Sequence, residues 1–179
     1  MPRQSLSMED RAKKPGYAAL RRFREFRSGA LYFITTNLTE RGPGLEATGL
    51  TGRVVQEWQR LEIDGLWQVR SAVVMPDHIH LLVCLSGAAC VVECLRLLKG
   101  RLACDLRDHR LRWQEGYYEH QRRESEDLLP VFLYILLNPY RAGLLPADQS
   151  WPGYRCHPED WKWFGELTRE AVPQPEWLR

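Results

Sequence analysis

Val73 to Val83 reads VVMPDHIHLLV, and two histidines, His78 and His80, flank a single isoleucine inside it. On an extended strand residues i and i+2 point to one face. His78, His80 and Leu82 therefore share a face, and Ile79, Leu81 and Val83 share the other. Two neutral imidazoles side by side can bind one metal ion. They equally suit a hydrogen-bonded pair of strand histidines, since sheltered ring nitrogens need partners. Two imidazoles alone hold a metal weakly, so a third ligand is needed. The apolar stretch Pro130 to Pro139 (PVFLYILLNP) offers one. Tyr134 and Asn138 are four residues apart, on one face of a helix, and Arg141 continues the line. Read blandly, Tyr134 is a core aromatic with its hydroxyl outward and Asn138 is a C-terminal cap.

Taken together, these side chains suit phosphoryl transfer. A phosphodiester resists attack because its oxygens are negative, and a metal on a non-bridging oxygen stabilises the charge of the transition state. A phenol with a reference pKa of about 10 needs metal, arginine or base assistance to attack. A phosphotyrosine link conserves the bond energy for rejoining. His78, His80 and Asn138 are a nitrogen and oxygen ligand set for Mg²⁺ or Mn²⁺, with a slight lean to Mn²⁺.

The elements that must position these groups are legible as alternating patterns. Gly29 to Leu38 is rich in β-branched and aromatic residues and reads as a strand. Thr39 to Gly49, with its glycines and proline, reads as a loop. Leu50, Val54, Trp58 and Leu61 have helical spacing, and Asp64-Gly65 ends that helix. Leu66 to Met75 and His78 to Leu85 are strands joined at Pro76-Asp77, which predicts an antiparallel pair. A long helix is expected from about Ala88 to Arg107, with Val91, Leu95, Leu98, Leu102 and Leu106 as its apolar stripe. Gly116 to Arg122 reads as a fourth strand. Ser125 to Asn138 reads as a helix capped by Ser125 and stopped by Pro139. The order β-α-β-β-α-β, followed by this added C-terminal helix, predicts an α+β, ferredoxin-like fold with a four-stranded antiparallel sheet. The histidine face of the sheet is expected to be free.

The chain has 179 residues, the size of one domain. Residues 1–28 read as a basic arm, 29–145 as the catalytic domain, and 146–179 as a tail, rich in Trp and Pro, that packs on it with little regular structure. No run approaches the roughly 18 apolar residues of a membrane helix. The first residues, MPRQSLSMEDRAKKPG, lack the apolar core of a secretory signal. The five cysteines include no C-x-x-C pair, which argues against a zinc ribbon or disulfide framework and for reduced thiols in a cytoplasm. The net charge of +2 hides two basic stretches, Met1 to Ala30 and Arg96 to Arg123, each with eight basic residues against three and four acidic ones. Single strands are held by basic grooves with aromatic platforms. Arg21, Arg22, Arg24 and Arg27, interleaved with Phe23 and Phe26, are candidates for such a groove. Arg110 and Arg112 beside Trp113, and Arg141, are further DNA-binding candidates.

Several segments together resemble a known family. His78-Ile79-His80 resembles the HUH motif of single-strand DNA nucleases and single-tyrosine insertion-sequence transposases. Trp113 to His120 (WQEGYYEH), followed by Tyr134 to Leu144 (YILLNPYRAGL), resembles the REP-associated tyrosine transposases over about Gly29 to Leu145. The resemblance implies a metal-dependent single-stranded DNA endonuclease and strand transferase, cutting and rejoining DNA near palindromic hairpins. His78, His80 and Asn138 would hold Mg²⁺ or Mn²⁺. Tyr134 would be the nucleophile, forming a 5′-phosphotyrosine and freeing a 3′-hydroxyl, with Tyr117 and Tyr118 as lower-ranked alternatives. A monomer or homodimer acting on single-stranded hairpin DNA in the bacterial cytoplasm, nucleoid-associated and away from membranes, is the expected setting. Two other readings compete: a non-catalytic single-strand nucleic-acid-binding protein, and a metal-assisted phosphodiesterase using water. RNA-binding sheets present aromatics on adjacent strands, whereas the third strand here presents histidines.

Overall fold

The computed structural model describes residues 29–39, 44–87 and 89–165. Its elements, in order, are β1 (Leu31–Asn37), α1 (Gly44–Ala47), α2 (Thr51–Ile63), β2 (Trp67–Val74), β3 (His78–Leu85), α3 (Val91–Arg101), α4 (Ala103–Asp108), β4 (Tyr118–Gln121), α5 (Leu129–Arg141), β5 (Tyr154–Cys156) and α6 (Pro158–Phe164). The strands form one antiparallel sheet in the order β4-β1-β3-β2-β5. The expected sheet had four strands. The fifth comes from the segment read as an irregular tail, and it pairs Tyr154 to Cys156 with Val73 to Ser71 of β2. A three-residue strand is too short to show alternation in sequence.

Period-two patterning decides which side of the sheet each residue serves. Ile34, Ile79, Leu81, Val83 and Leu85 pack with Val54, Trp58 and Leu61 of α2 and Val91, Leu95 and Leu98 of α3. Each such buried aliphatic side chain contributes about 1.5–3 kcal/mol of transfer free energy. The stripe predicted for one long helix is buried throughout, but the helix is broken at Leu102, where α3 ends and α4 begins. Gly65 closes α2 at φ +71°, a left-handed conformation that suits glycine. The loop expected over Thr39 to Gly49 contains the short helix α1.

The opposite face is the one expected to be free, and it is largely covered. Val73, Met75 and Leu82 pack there against Phe132, Ile135 and Leu136 of α5, with Trp151 and Phe164 from the C-terminal segment. The Trp151 indole N–H donates to the Val74 carbonyl at 2.8 Å. Helix α5 starts later than predicted, at Leu129, and Ser125 is not its cap. The Asp127 carboxylate instead accepts from the Leu129 N–H at 3.0 Å. Pro139 lies inside the helix rather than stopping it. A proline forfeits one helical hydrogen bond, and here it does so in the last turn, where its ring is buried.

The C-terminal segment is also held by an ion pair. The Arg70 guanidinium of β2 donates from two nitrogens to the Asp160 carboxylate of α6. The Asp160 side chain is 2% exposed and that of Arg70 27%. Removing one partner of such a pair strands a buried charge. Arg70→Ala is expected to cost about 3 kcal/mol, the low end of the range because water reaches the guanidinium. Urea unfolding checks this, and an unshifted midpoint would show that the pair does not anchor α6. All five cysteines are free thiols. Among the described residues, no helix is long and apolar enough to cross a membrane.

Candidate active site

Register brings the two histidines opposite two positions of β1. Asn37 pairs with His78 and Thr35 with His80. Residues directly opposed on antiparallel strands share a face, so the Thr35 hydroxyl lies beside the His80 ring. Thr35 Oγ1 and His80 Nδ1 are 2.8 Å apart. On the other side, His78 Nδ1 and Asp77 Oδ1 are 2.7 Å apart, so the ring N–H of His78 has a carboxylate to donate to. The remaining nitrogens face one another, with His78 Nε2 3.1 Å from His80 Nε2. Each imidazole thus has its outer nitrogen engaged by the protein and its inner nitrogen turned toward the other.

Helix α5 places the tyrosine over this pair. Tyr134 Oη is 3.5 Å from His80 Nε2, and the two rings meet at 5.1 Å between centroids. Phe33 of β1 fixes both partners. It stacks on His80 at 5.5 Å with an interplanar angle of 22°, and meets Tyr134 edge-on at 5.8 Å. The Arg141 guanidinium, two turns on, lies 5.7 Å from the Tyr134 ring centroid, within cation–π range. Asn138 is half-buried, one turn beyond Tyr134 on the same helix. Among the described residues, no hydrogen bond joins its amide to the histidines.

Burial sets the charge state of the pair. His80 is 5% exposed. Desolvation, and secondarily the nearby His78, push its pKa down to about 3, so the ring is neutral at ordinary pH. The stability consequence follows from linkage. Below about 6.5 the unfolded chain takes up a proton that the folded chain refuses, so stability is fully present above that pH and falls as pH drops toward 3. Between about pH 7.5 and about pH 5 this one group is expected to remove about 2 kcal/mol. Urea midpoints of the wild type against His80→Gln isolate it. Identical pH slopes for the two chains would contradict a neutral, buried His80.

The remaining candidates are placed elsewhere or not described. Arg110 and Arg112 are exposed and line a cavity of about 520 Å³ with Arg107, Leu106, Leu111 and Trp113. That cavity shares no residue with the histidine site. Arg21, Arg22, Arg24 and Arg27 lie outside the described residues. Sequence reasoning missed Thr35, Phe33 and the role of Asp77 as a histidine partner. Asp77 adjoins His78, but its Pro-Asp context signals a turn and not a histidine partner. Thr35 and Phe33 become visible only through strand register.

Could these residues hold a metal? Among the described residues, no group of three or more His, Cys, Asp and Glu side chains is arranged to bind one. The protein would supply two imidazoles, and Asn138, water or substrate oxygens would complete the shell. The spacing of the pair fits that role. For bonds of about 2.1 Å, adjacent corners of an octahedron lie about 3.0 Å apart, close to the observed 3.1 Å between the Nε2 atoms.

No known family model matches the chain. It is similar to two curated proteins. One, from Haemophilus influenzae, provisionally carries the name REP-associated tyrosine transposase and is 26% identical over 163 residues, covering 77% of this chain and 90% of the relative. The other, the REP-associated tyrosine transposase of Escherichia coli strain K12, is 26% identical over 159 residues, covering 81% and 91%. In structure the chain resembles a REP-associated tyrosine transposase solved bound to a REP hairpin. The TM-score is 0.63 and the identity 23%, with 84% of this chain and 86% of that one covered. This last likeness is one of fold.

Proposed function

We propose that this chain, which resembles the REP-associated tyrosine transposases in sequence and in fold, is a transposase of REP-like DNA. In this reading it cuts and rejoins single strands beside palindromic hairpins through Tyr134. The observation that carries the reading is the convergence of the Tyr134 hydroxyl with two imidazole nitrogens whose outer positions are already engaged. In the tautomer that turns both ring N–H groups outward, to Asp77 and Thr35, the inner lone pairs face each other across 3.1 Å. Such a pair calls for a cation between them. A divalent ion there, Mg²⁺ or Mn²⁺, would draw charge from a phosphate oxygen and ease attack at phosphorus.

The side chains then divide the work. Asp77 and Thr35 hold the ring orientation of the two ligands, as outer partners of metal-binding histidines do. Phe33 restrains His80 and Tyr134 together. Asn138 is proposed as the third protein ligand. The phenolic oxygen of Tyr134 forms a bond to phosphorus and the bond to the 3′ oxygen breaks. The tyrosine proton leaves to solvent or a base, and the departing oxygen becomes a 3′-hydroxyl. The product is a 5′-phosphotyrosine, and a second 3′-hydroxyl reverses the step and rejoins DNA. Arg141, whose guanidinium lies 5.7 Å from the tyrosine ring centroid, is proposed to meet phosphate. The low pKa of His80 keeps its lone pair available at neutral pH.

One competing reading rests on the same geometry. If the Thr35 hydroxyl donates to His80 Nδ1, then His80 Nε2–H can donate to His78 Nε2, and the pair satisfies itself without a metal. That arrangement fits a non-catalytic single-strand binding protein. A denaturing gel separates the readings. Labelled single-stranded DNA with a palindromic hairpin is incubated with the protein and Mn²⁺, or with a chelator. The proposed function predicts a protein–DNA band that survives denaturation and disappears with the chelator. Cleaved DNA without a bound band would support water as the nucleophile. Bound but uncut DNA would support the binding protein.

A further inference from the structure

We propose that Tyr118 of β4 is a stacking platform for one unpaired base of the DNA strand whose phosphate sits at the histidine pair. This rests on the reading of that pair as the reaction centre. Strand register places the ring. Thr35 pairs with His80 on one side and with Tyr118 on the other. Directly opposed residues share a face, so Tyr118, Thr35 and His80 form a single row across three strands. Two strand spacings put the tyrosine about 10 Å from His80 along the sheet, the scale of a neighbouring nucleotide.

The ring is also open to solvent. β4 is the edge strand of the sheet, and α5 covers the opposite end of the same face through Phe132, Ile135 and Leu136. Tyr118 is left 50% exposed, although it sits on the face that carries the reactive groups. Its ring is continuous with the site, meeting Phe33 at 6.3 Å edge-on, and Phe33 in turn stacks on His80. An exposed aromatic beside a phosphate-handling centre matches the chemistry of single-strand binding, in which bases stack on aromatic rings. Tyr118 acts here through its ring and not through its hydroxyl, which separates this role from that of a second nucleophile.

The test uses single-stranded thymidine oligonucleotides, so that it does not depend on the target hairpin. Binding is measured with Mn²⁺ in the Tyr134→Phe chain, which lacks the proposed nucleophile. Adding Tyr118→Ala to that parent is expected to weaken binding about tenfold, and Tyr118→Trp is expected to restore it. An abasic oligonucleotide should bind the parent and the Tyr118→Ala chain alike, because the stacking partner is gone. With 5-iodouracil in the strand, the photo-cross-link should fall on Tyr118. Equal affinity of Tyr118→Ala and its parent for the thymidine strand would overturn the proposal. So would an unchanged tenfold loss on the abasic strand, which would show that Tyr118 merely braces Phe33. The strand-transfer reading fails separately. Its failure would show as a wild-type chain that forms no adduct through Tyr134 while the Tyr118 dependence persists. An adduct with no Tyr118 dependence would sink the platform alone.

Discussion

Tyr134→Phe is expected to remove covalent capture of DNA and to lower strand cleavage by at least about 10⁴-fold, on the scale seen when a catalytic nucleophile is deleted. Only the oxygen is lost. The phenyl ring keeps its place against Phe33 and His80, so the fold and the aromatic contacts around the site should persist. DNA affinity should fall by less than about threefold, since the hydroxyl is proposed as the reacting group rather than a binding anchor. Cleavage assayed beside a native binding gel checks both halves. Residual adduct would move the nucleophile to another residue, and Tyr118, exposed on the same sheet face, is the first to examine. A large loss of binding would give the hydroxyl a role in holding the strand.

His78→Ala carries the second large effect. Deleting this imidazole removes one of the two facing nitrogens and leaves Asp77 without its ring partner. Losing only the outer partner of a metal-bound histidine costs about 10–100-fold in metal affinity, so if His78 is the proposed ligand its loss should exceed about 100-fold. Cleavage at micromolar Mn²⁺ should therefore disappear, with partial recovery at millimolar concentrations. His78 is the better of the two histidines for this test. It is half-buried, whereas His80 is buried and its loss would also strand Thr35. Thermal unfolding should show His78→Ala close to the wild type, within about 1 kcal/mol. A metal requirement unchanged in the variant would remove His78 from the ligand set.

How much of this was legible in the sequence varies with the kind of pattern involved. His78 and His80 were assigned to one face by period two alone, and the structure sets their rings 4.6 Å apart. Tyr134 was assigned to the apolar helix facing them, and it lies there. Both inferences rest on local geometry, in which the backbone repeat fixes side-chain direction. The partners of the histidines rest on non-local geometry. Thr35 is 45 residues from His80 in sequence, and only the β1–β3 register sets it opposite. The covering of the histidine face is hidden from the sequence for a similar reason. Trp151 and Phe164 come from a segment whose prolines and short elements conceal any period, yet both rings are buried against Val73, Leu82 and Phe132. The resemblance to REP-associated tyrosine transposases was legible because it lies in contiguous runs, WQEGYYEH and YILLNPYRAGL, which need no folding to be read.

The coverage of the second face bears on mechanism. Helix α5 reaches the site only because its apolar side packs on the sheet through Phe132, Ile135 and Leu136. That packing leaves Tyr134 half-buried above the imidazoles. A sheet open on this face would expose the pair to water and raise the pKa of His80 toward its ordinary value, since desolvation is the larger cause of its depression. Burial therefore does two things at once. It positions the phenol, and it keeps the neutral imidazole that a ligand or acceptor must be.

The most direct measurement is to identify the residue that becomes joined to DNA. The wild-type chain is incubated with hairpin-bearing single-stranded DNA and Mn²⁺, digested with protease and nuclease, and analysed by mass spectrometry. A nucleotide phosphate on Tyr134, lost when the metal is chelated, is the predicted result. A phosphate on Tyr117 or Tyr118, or cut DNA ends with no modified peptide, would contradict the account.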